Sequence, residues 1–81
     1  MNNQEDIYLK VVAIFEDLFE IEPAEITLES NLYQDLDIDS IDAVDLVIEL
    51  RKMTKKKIQP EDFKAVRTVQ DVVDQVQKLL S

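Results

Sequence analysis

The chain has no cysteine, no histidine and no glycine. Without cysteine there is no disulfide framework, and any thioester chemistry must be done on a thiol added from outside. Without histidine or cysteine a serine lacks its usual general base and a transition metal lacks its usual ligands. Self-contained nucleophilic catalysis and a metal centre are therefore not expected, and no catalytic residue is assigned. No apolar run approaches the length of a bilayer span, and Met1-Asn2-Asn3-Gln4 lacks the basic region of a signal peptide. Stable membrane insertion is thus not expected, and the sequence reads as cytoplasmic. There is also no internal repeat, low-complexity segment or strand-like alternation of useful length.

What is present suits one small soluble domain over residues 1–81, with 46% hydrophobic and 33% charged residues and a thin core. Its charge is divided unevenly along the chain. Residues 1–50 hold 14 acids and only Lys10, a net of −13, whereas residues 51–81 hold 8 bases and 4 acids, a net of +4. Such a surface repels nucleic acid over most of its extent and attracts basic protein faces.

Helical spacing organises most of the chain. Asn3 is placed to cap a first helix over 4–19, in which Ile7, Val11, Ile14, Phe15 and Leu18 recur with helical period. Pro23 forbids its continuation, and residues 21–38 form a long loop with Ile26, Leu28, Leu32 and Leu36 pinned to the core. A second helix is expected over 40–53, a brief third turn around Pro60 to Lys64, and a last helix from Thr68 that carries Val69, Val72, Val73, Val76, Leu79 and Leu80. Thr68 with Asp71 three residues on makes a capping-box start, and Pro60 suits the first position of a short helix.

The second helix is apolar on two sides. At about 100° per residue, Ala43, Leu46, Val47, Leu50 and Met53 share one arc and form its core face. Ile41, Val44 and Ile48 fall nearly opposite, interleaved with Asp42, Asp45 and Glu49. A domain this small can scarcely bury a helix all round, so the second stripe is expected to be exposed and flanked by acids, as a partner-binding surface is.

At the start of that helix stands Asp39-Ser40-Ile41-Asp42. Asp39 is a good N-cap, and both acids sit well beside the positive end of the helix dipole. Ser40 then presents a hydroxyl at an exposed helix start, a place that also favours a phosphate group. Taken alone, a serine there reads as a cap. Its surroundings say more: the stretch from Asp35 to Val47, Asp-Leu-Asp-Ile-Asp-Ser-Ile-Asp-Ala-Val-Asp-Leu-Val, resembles the attachment motif of acyl carrier proteins, the phosphopantetheine-binding carrier family.

The resemblance runs over nearly the whole chain and implies an all-α, four-helix bundle with a long loop between helices 1 and 2 and a short third helix. It implies that Ser40, flanked by Asp39, carries 4′-phosphopantetheine from coenzyme A through a phosphodiester, and that acyl groups ride as thioesters on that arm. The implied role is that of a substrate shuttle, not an enzyme, and the expected state is a monomer. Its partners would be a phosphopantetheinyl transferase and the acyl-transferring and chain-extending enzymes of a pathway. Ile41, Asp42, Val44, Asp45, Ile48 and Glu49 would meet those partners, while Ala43, Leu46, Val47, Phe63 and Val69 would shelter the acyl chain. Fatty acids, polyketide or aryl-polyene intermediates and an activated amino acid all remain open as cargo. One departure from the family pattern is Asp37, where a glycine is usual two residues before the Asp-Ser pair.

Other readings fit less of the chain. Asp35, Asp37 and Asp39 imitate the opening of a calcium loop, but the sixth position holds Ser40 in place of glycine and the twelfth holds Leu46 in place of glutamate. Only weak binding of divalent cations to these acids is expected. An enzyme built on paired carboxylates would need a cleft larger than this domain offers. An unmodified helical adaptor that docks on a basic partner would explain the second helix but leave the placement of Ser40 to coincidence. The segment from Arg51 to Lys57 holds 5 of the 9 basic residues. Typical fatty-acid carriers stay acidic there, so Arg51 and Lys52 point to a specialised carrier, for example of the polyketide or aryl-polyene type.

Overall fold

A computed structural model describes residues 3–80. Three α-helices, α1 (Gln4–Phe19), α2 (Ser40–Thr54) and α3 (Val69–Leu80), are joined by segments that each contain one 3-10 turn, at Pro23–Glu25 and Pro60–Phe63. The fold is all-α, and the second 3-10 turn takes the place of the short third helix of the expected bundle. Among the described residues there is no strand, only one antiparallel bridge between Asn31 and Thr68.

The Asn3 side chain caps α1 by accepting the Asp6 amide at 2.8 Å. Glu20, in the left-handed region at φ 55°, closes the helix by donating its amide to the Glu16 carbonyl. Ile7, Val11, Val12 and Phe15 form its buried stripe. Ile14 is only half-buried and Leu18 is 36% exposed, which departs from the expected stripe. The i, i+4 ridge through Ile7, Val11 and Phe15 faces the core, and Val12 beside it takes the place that periodicity gave to Ile14.

The long loop is tied down throughout, which is why so many residues without a period can sit in a small domain. The Tyr8 hydroxyl donates to the Ile26 carbonyl at 2.9 Å, and the Asn31 side chain accepts the amides of Tyr33 and Gln34, both at 2.9 Å. Backbone bonds then stitch the loop to the approach to α3: Leu32 donates to Arg67 at 2.9 Å, Val69 to Ser30 at 3.0 Å and Gln70 to Leu28 at 2.9 Å. Ile26 and Leu32 are buried as expected, with Leu28 and Leu36 packed against them, and Ile38 adds a further buried anchor directly before Asp39.

On α2, Leu46, Val47 and Leu50 are buried and Ala43 and Met53 partly so. Val69, Val72, Val73 and Val76 of α3 are all fully buried, and Leu79 and Leu80 pack at the margin. Thr68 is the cap of α3 and Val69 its first residue. The core thus lies between three helices, with the start of α2 held at the surface by the end of the loop.

Candidate functional site

Asp39 organises the start of α2. Its Oδ1 accepts the amides of Ile41 at 3.0 Å and Asp42 at 2.9 Å, while Asp42 accepts the Asp39 amide at 3.4 Å. The Ala43 amide already bonds to the Asp39 carbonyl at 2.9 Å. The anion that this helix end favours is therefore already present as the Asp39 carboxylate. A phosphate on Ser40 gains no cradle of free amides from residues 41–43, contrary to the expectation that a helix start would welcome it, and must be held by its covalent bond.

Ser40 itself is exposed, and among the described residues no group hydrogen-bonds to its hydroxyl. Every other serine or threonine hydroxyl in the described chain is engaged. Ser30 and Thr27 lie 3.2 Å apart, with Ser30 also accepting the Thr27 amide; the Thr54 hydroxyl donates to the Leu50 carbonyl at 2.8 Å; and Thr68 accepts the Asp71 amide at 3.2 Å. Of these five described hydroxyls, that of Ser40 is the one the fold does not use.

The stripe beyond it is open to solvent, with Ile41 74%, Val44 45% and Ile48 41% exposed. Asp45 is exposed beside them, and Asp42 and Glu49 are half-buried. Glu49 forms an ion pair with Lys52 at 3.3 Å. Arg51 turns another way and donates through Nε to the Ile58 carbonyl across the loop that follows α2. The residues named for an acyl shelter lie inward: Leu46, Val47, Phe63 and Val69 are buried in the common core and Ala43 is half-buried beside them. A groove of about 330 Å³ that sequence reasoning did not anticipate opens between α1 and α2, lined by Ile14, Leu18, Met53, Glu49 and Lys52 among others. Its signal was the pair Ile14 and Leu18, apolar at helical spacing but rotated off the core.

Two of the acids that imitate a calcium loop have local duties. Asp35 accepts the Asn31 amide at 2.7 Å and Asp39 caps α2. Among the described residues no three carboxylates come together as a metal site.

The described chain thus displays an unengaged serine hydroxyl beside an exposed stripe of apolar and acidic side chains. The family model for the phosphopantetheine attachment site matches residues 10–76. Acyl carrier protein 2 of Ralstonia nicotianae is 51% identical over 76 residues, 94% of each chain. The meromycolate extension acyl carrier protein of Mycobacterium tuberculosis is 42% identical over 76 residues, which cover 94% of this chain and 66% of that one. The crystal structure of an acyl carrier protein from Thermotoga maritima superimposes with a TM-score of 0.81 at 27% identity, over 95% of this chain and 89% of that one.

The chain belongs to the acyl carrier proteins. It carries acyl intermediates as thioesters on 4′-phosphopantetheine, in fatty acid or related biosynthesis, and works with acyl-transferring and chain-extending enzymes. The arm supplies the thiol that a chain without cysteine lacks. Among the described residues no helix is long and apolar enough to cross a membrane.

Proposed function

We propose that Ser40 is the residue that carries the arm, and that residues 1–81 act as one monomeric, cytoplasmic carrier domain that is not itself an enzyme. The observation that carries this reading is the free hydroxyl of Ser40, set between two acids at a helix start while the other described serine and threonine hydroxyls are engaged. A phosphopantetheinyl transferase installs the arm, with Asp39 holding the turn on which Ser40 is displayed. Ile41, Asp42, Val44, Asp45, Ile48 and Glu49 form the face on which partners dock, with the acids guiding encounter and the apolar side chains supplying contact. Ala43, Leu46, Val47, Phe63 and Val69 line the seam that parts to shelter an acyl chain.

Intact-mass measurement after incubation with coenzyme A and a broad-specificity transferase tests the assignment. The native protein should gain the mass of one arm and Ser40→Ala should gain none. A Ser40→Ala protein that is still modified, or a native protein that never is, overturns it.

A further inference from the structure

Arg51 and Lys52 are adjacent cations at the end of α2, yet the structure gives them different work. Arg51 reaches the Ile58 carbonyl and so secures the loop after α2. Lys52 folds back on Glu49 at 3.3 Å, and this is the one ion pair found among the described residues. The two members of that pair are unequally placed: the Lys52 side chain is 70% exposed and the Glu49 side chain 33%. A partner that approaches α2 here meets the cation before the acid.

Asp42, Asp45 and Glu49 follow one another along one side of α2 at i, i+3 and i+7. At about 1.5 Å of rise per residue, Glu49 stands roughly 10 Å beyond Asp42, close to one Debye length at 0.1 M salt. A basic group opposite Asp42 therefore scarcely senses Lys52, whereas one opposite Glu49 meets a neutral pair with its positive member outward. The pair is too exposed to add much stability. Its effect lies in the surface potential that a partner reads.

We infer that Lys52 is a specificity-determining residue that masks Glu49, so that the acidic stripe available to partners ends at Asp45. The partner this fits has its basic side chains gathered opposite the first two turns after Ser40, and a partner whose basic row continues along α2 is penalised by like charge. The inference rests on the reading of the outer face of α2 as the docking surface.

Two labelled helical peptides with the same apolar face and the same number of arginines, confined to two turns in one and spread over three in the other, provide the test. Fluorescence anisotropy at about 0.1 M salt should show the native protein favouring the confined peptide. Lys52→Gln should tighten binding of the spread peptide by up to about fivefold and leave the confined one nearly unchanged, the range open to a single exposed charge. Lys57→Gln, which removes the same charge from the neighbouring loop, and Arg51→Gln should not reproduce that selective gain. An equal gain for both peptides, or the same gain from Lys57→Gln or Arg51→Gln, overturns the masking role. If Asp45→Lys leaves binding of both peptides intact, they sit elsewhere and it is the docking reading that fails.

Discussion

Helices α2 and α3 begin with the same device and use it to opposite ends. Each opens on a capping box, Asp39 with Asp42 in α2 and Thr68 with Asp71 in α3. In each, the residue after the cap is the first of the helix. In α3 that residue is Val69, fully buried, and its amide is bonded to Ser30 in the loop. In α2 it is Ser40, exposed and unbonded at its hydroxyl. A secure helix start is thus used once to anchor the core and once to hold a free hydroxyl in solvent, and what separates the two is the side on which the first residue lands.

Exchanging those first residues should show the largest effect. Val69→Ser removes buried apolar surface and leaves a hydroxyl in the core, which should cost about 2–5 kcal/mol of unfolding free energy in urea titration. Ser40→Val removes nothing that the fold uses, so its stability should stay within about 0.5 kcal/mol of native while attachment of the arm is abolished. Similar losses in the two variants would mean that Ser40 also supports the helix, and the contrast would fall.

The caps themselves come next. Asp71 accepts the amides of Arg67 at 3.0 Å and Thr68 at 3.1 Å. The Arg67 amide does most to hold the Asp71 carboxyl below its ordinary value; burial opposes it, and the Thr68 amide and hydroxyl and the Arg67 charge add smaller lowering effects. A carboxylate with a depressed folded value stabilises the protein at pH above the unfolded value, about 3.9 for aspartate, and that contribution is lost as pH falls through the folded value. Thr68→Ala should cost about 1 kcal/mol at neutral pH. Asp71→Asn should flatten the acid limb of the stability curve below about pH 4, measured by denaturant titration at a series of pH values. An unchanged acid limb would show that this box does not bear on acid stability.

Much of this contrast was legible beforehand. The two capping boxes, the valine stripe of α3 and the outward stripe of Ile41, Val44 and Ile48 follow from spacing, because helical period reports directly which side chains share a face. The attachment motif added what spacing does not show, a reason for Ser40 to be there. The parts that escaped depend on contacts between segments distant in sequence. Val12 replaced Ile14 on the core side because a shallow rotation of α1 toward its neighbours lies below the resolution of a periodicity argument. The loop bonds from Leu32 to Arg67 and from Val69 to Ser30 are backbone to backbone and leave no mark on residue choice. Arg51 and Lys52 look equivalent in sequence, and only the fold sends one to Ile58 and the other to Glu49.

The smallest effect concerns how each helix is approached. A chain without glycine still places Glu20, Asp37 and Lys55 in the left-handed region, at φ 55°, 55° and 58°. Glu20 and Lys55 close α1 and α2, whereas Asp37 bends the loop two residues before the cap of α2, where the family usually has glycine; among the described residues none stands in the corresponding place just before the cap of α3. A side chain with a β-carbon costs about 1–2 kcal/mol in this region, but glycine gives back roughly 0.5–1 kcal/mol through the greater freedom of the unfolded chain. Aspartate tolerates the conformation better than lysine or glutamate because its short carboxylate can bond locally. Lys55→Gly and Glu20→Gly should therefore each stabilise the fold by up to about 1 kcal/mol, and Asp37→Gly should change it by less than about 0.5 kcal/mol. Thermal and urea midpoints of the three variants decide the matter. If Asp37→Gly gains as much as Lys55→Gly, aspartate is no better suited to the bend than any other residue, and the approach to Ser40 is strained in a way that the approach to Val69 is not.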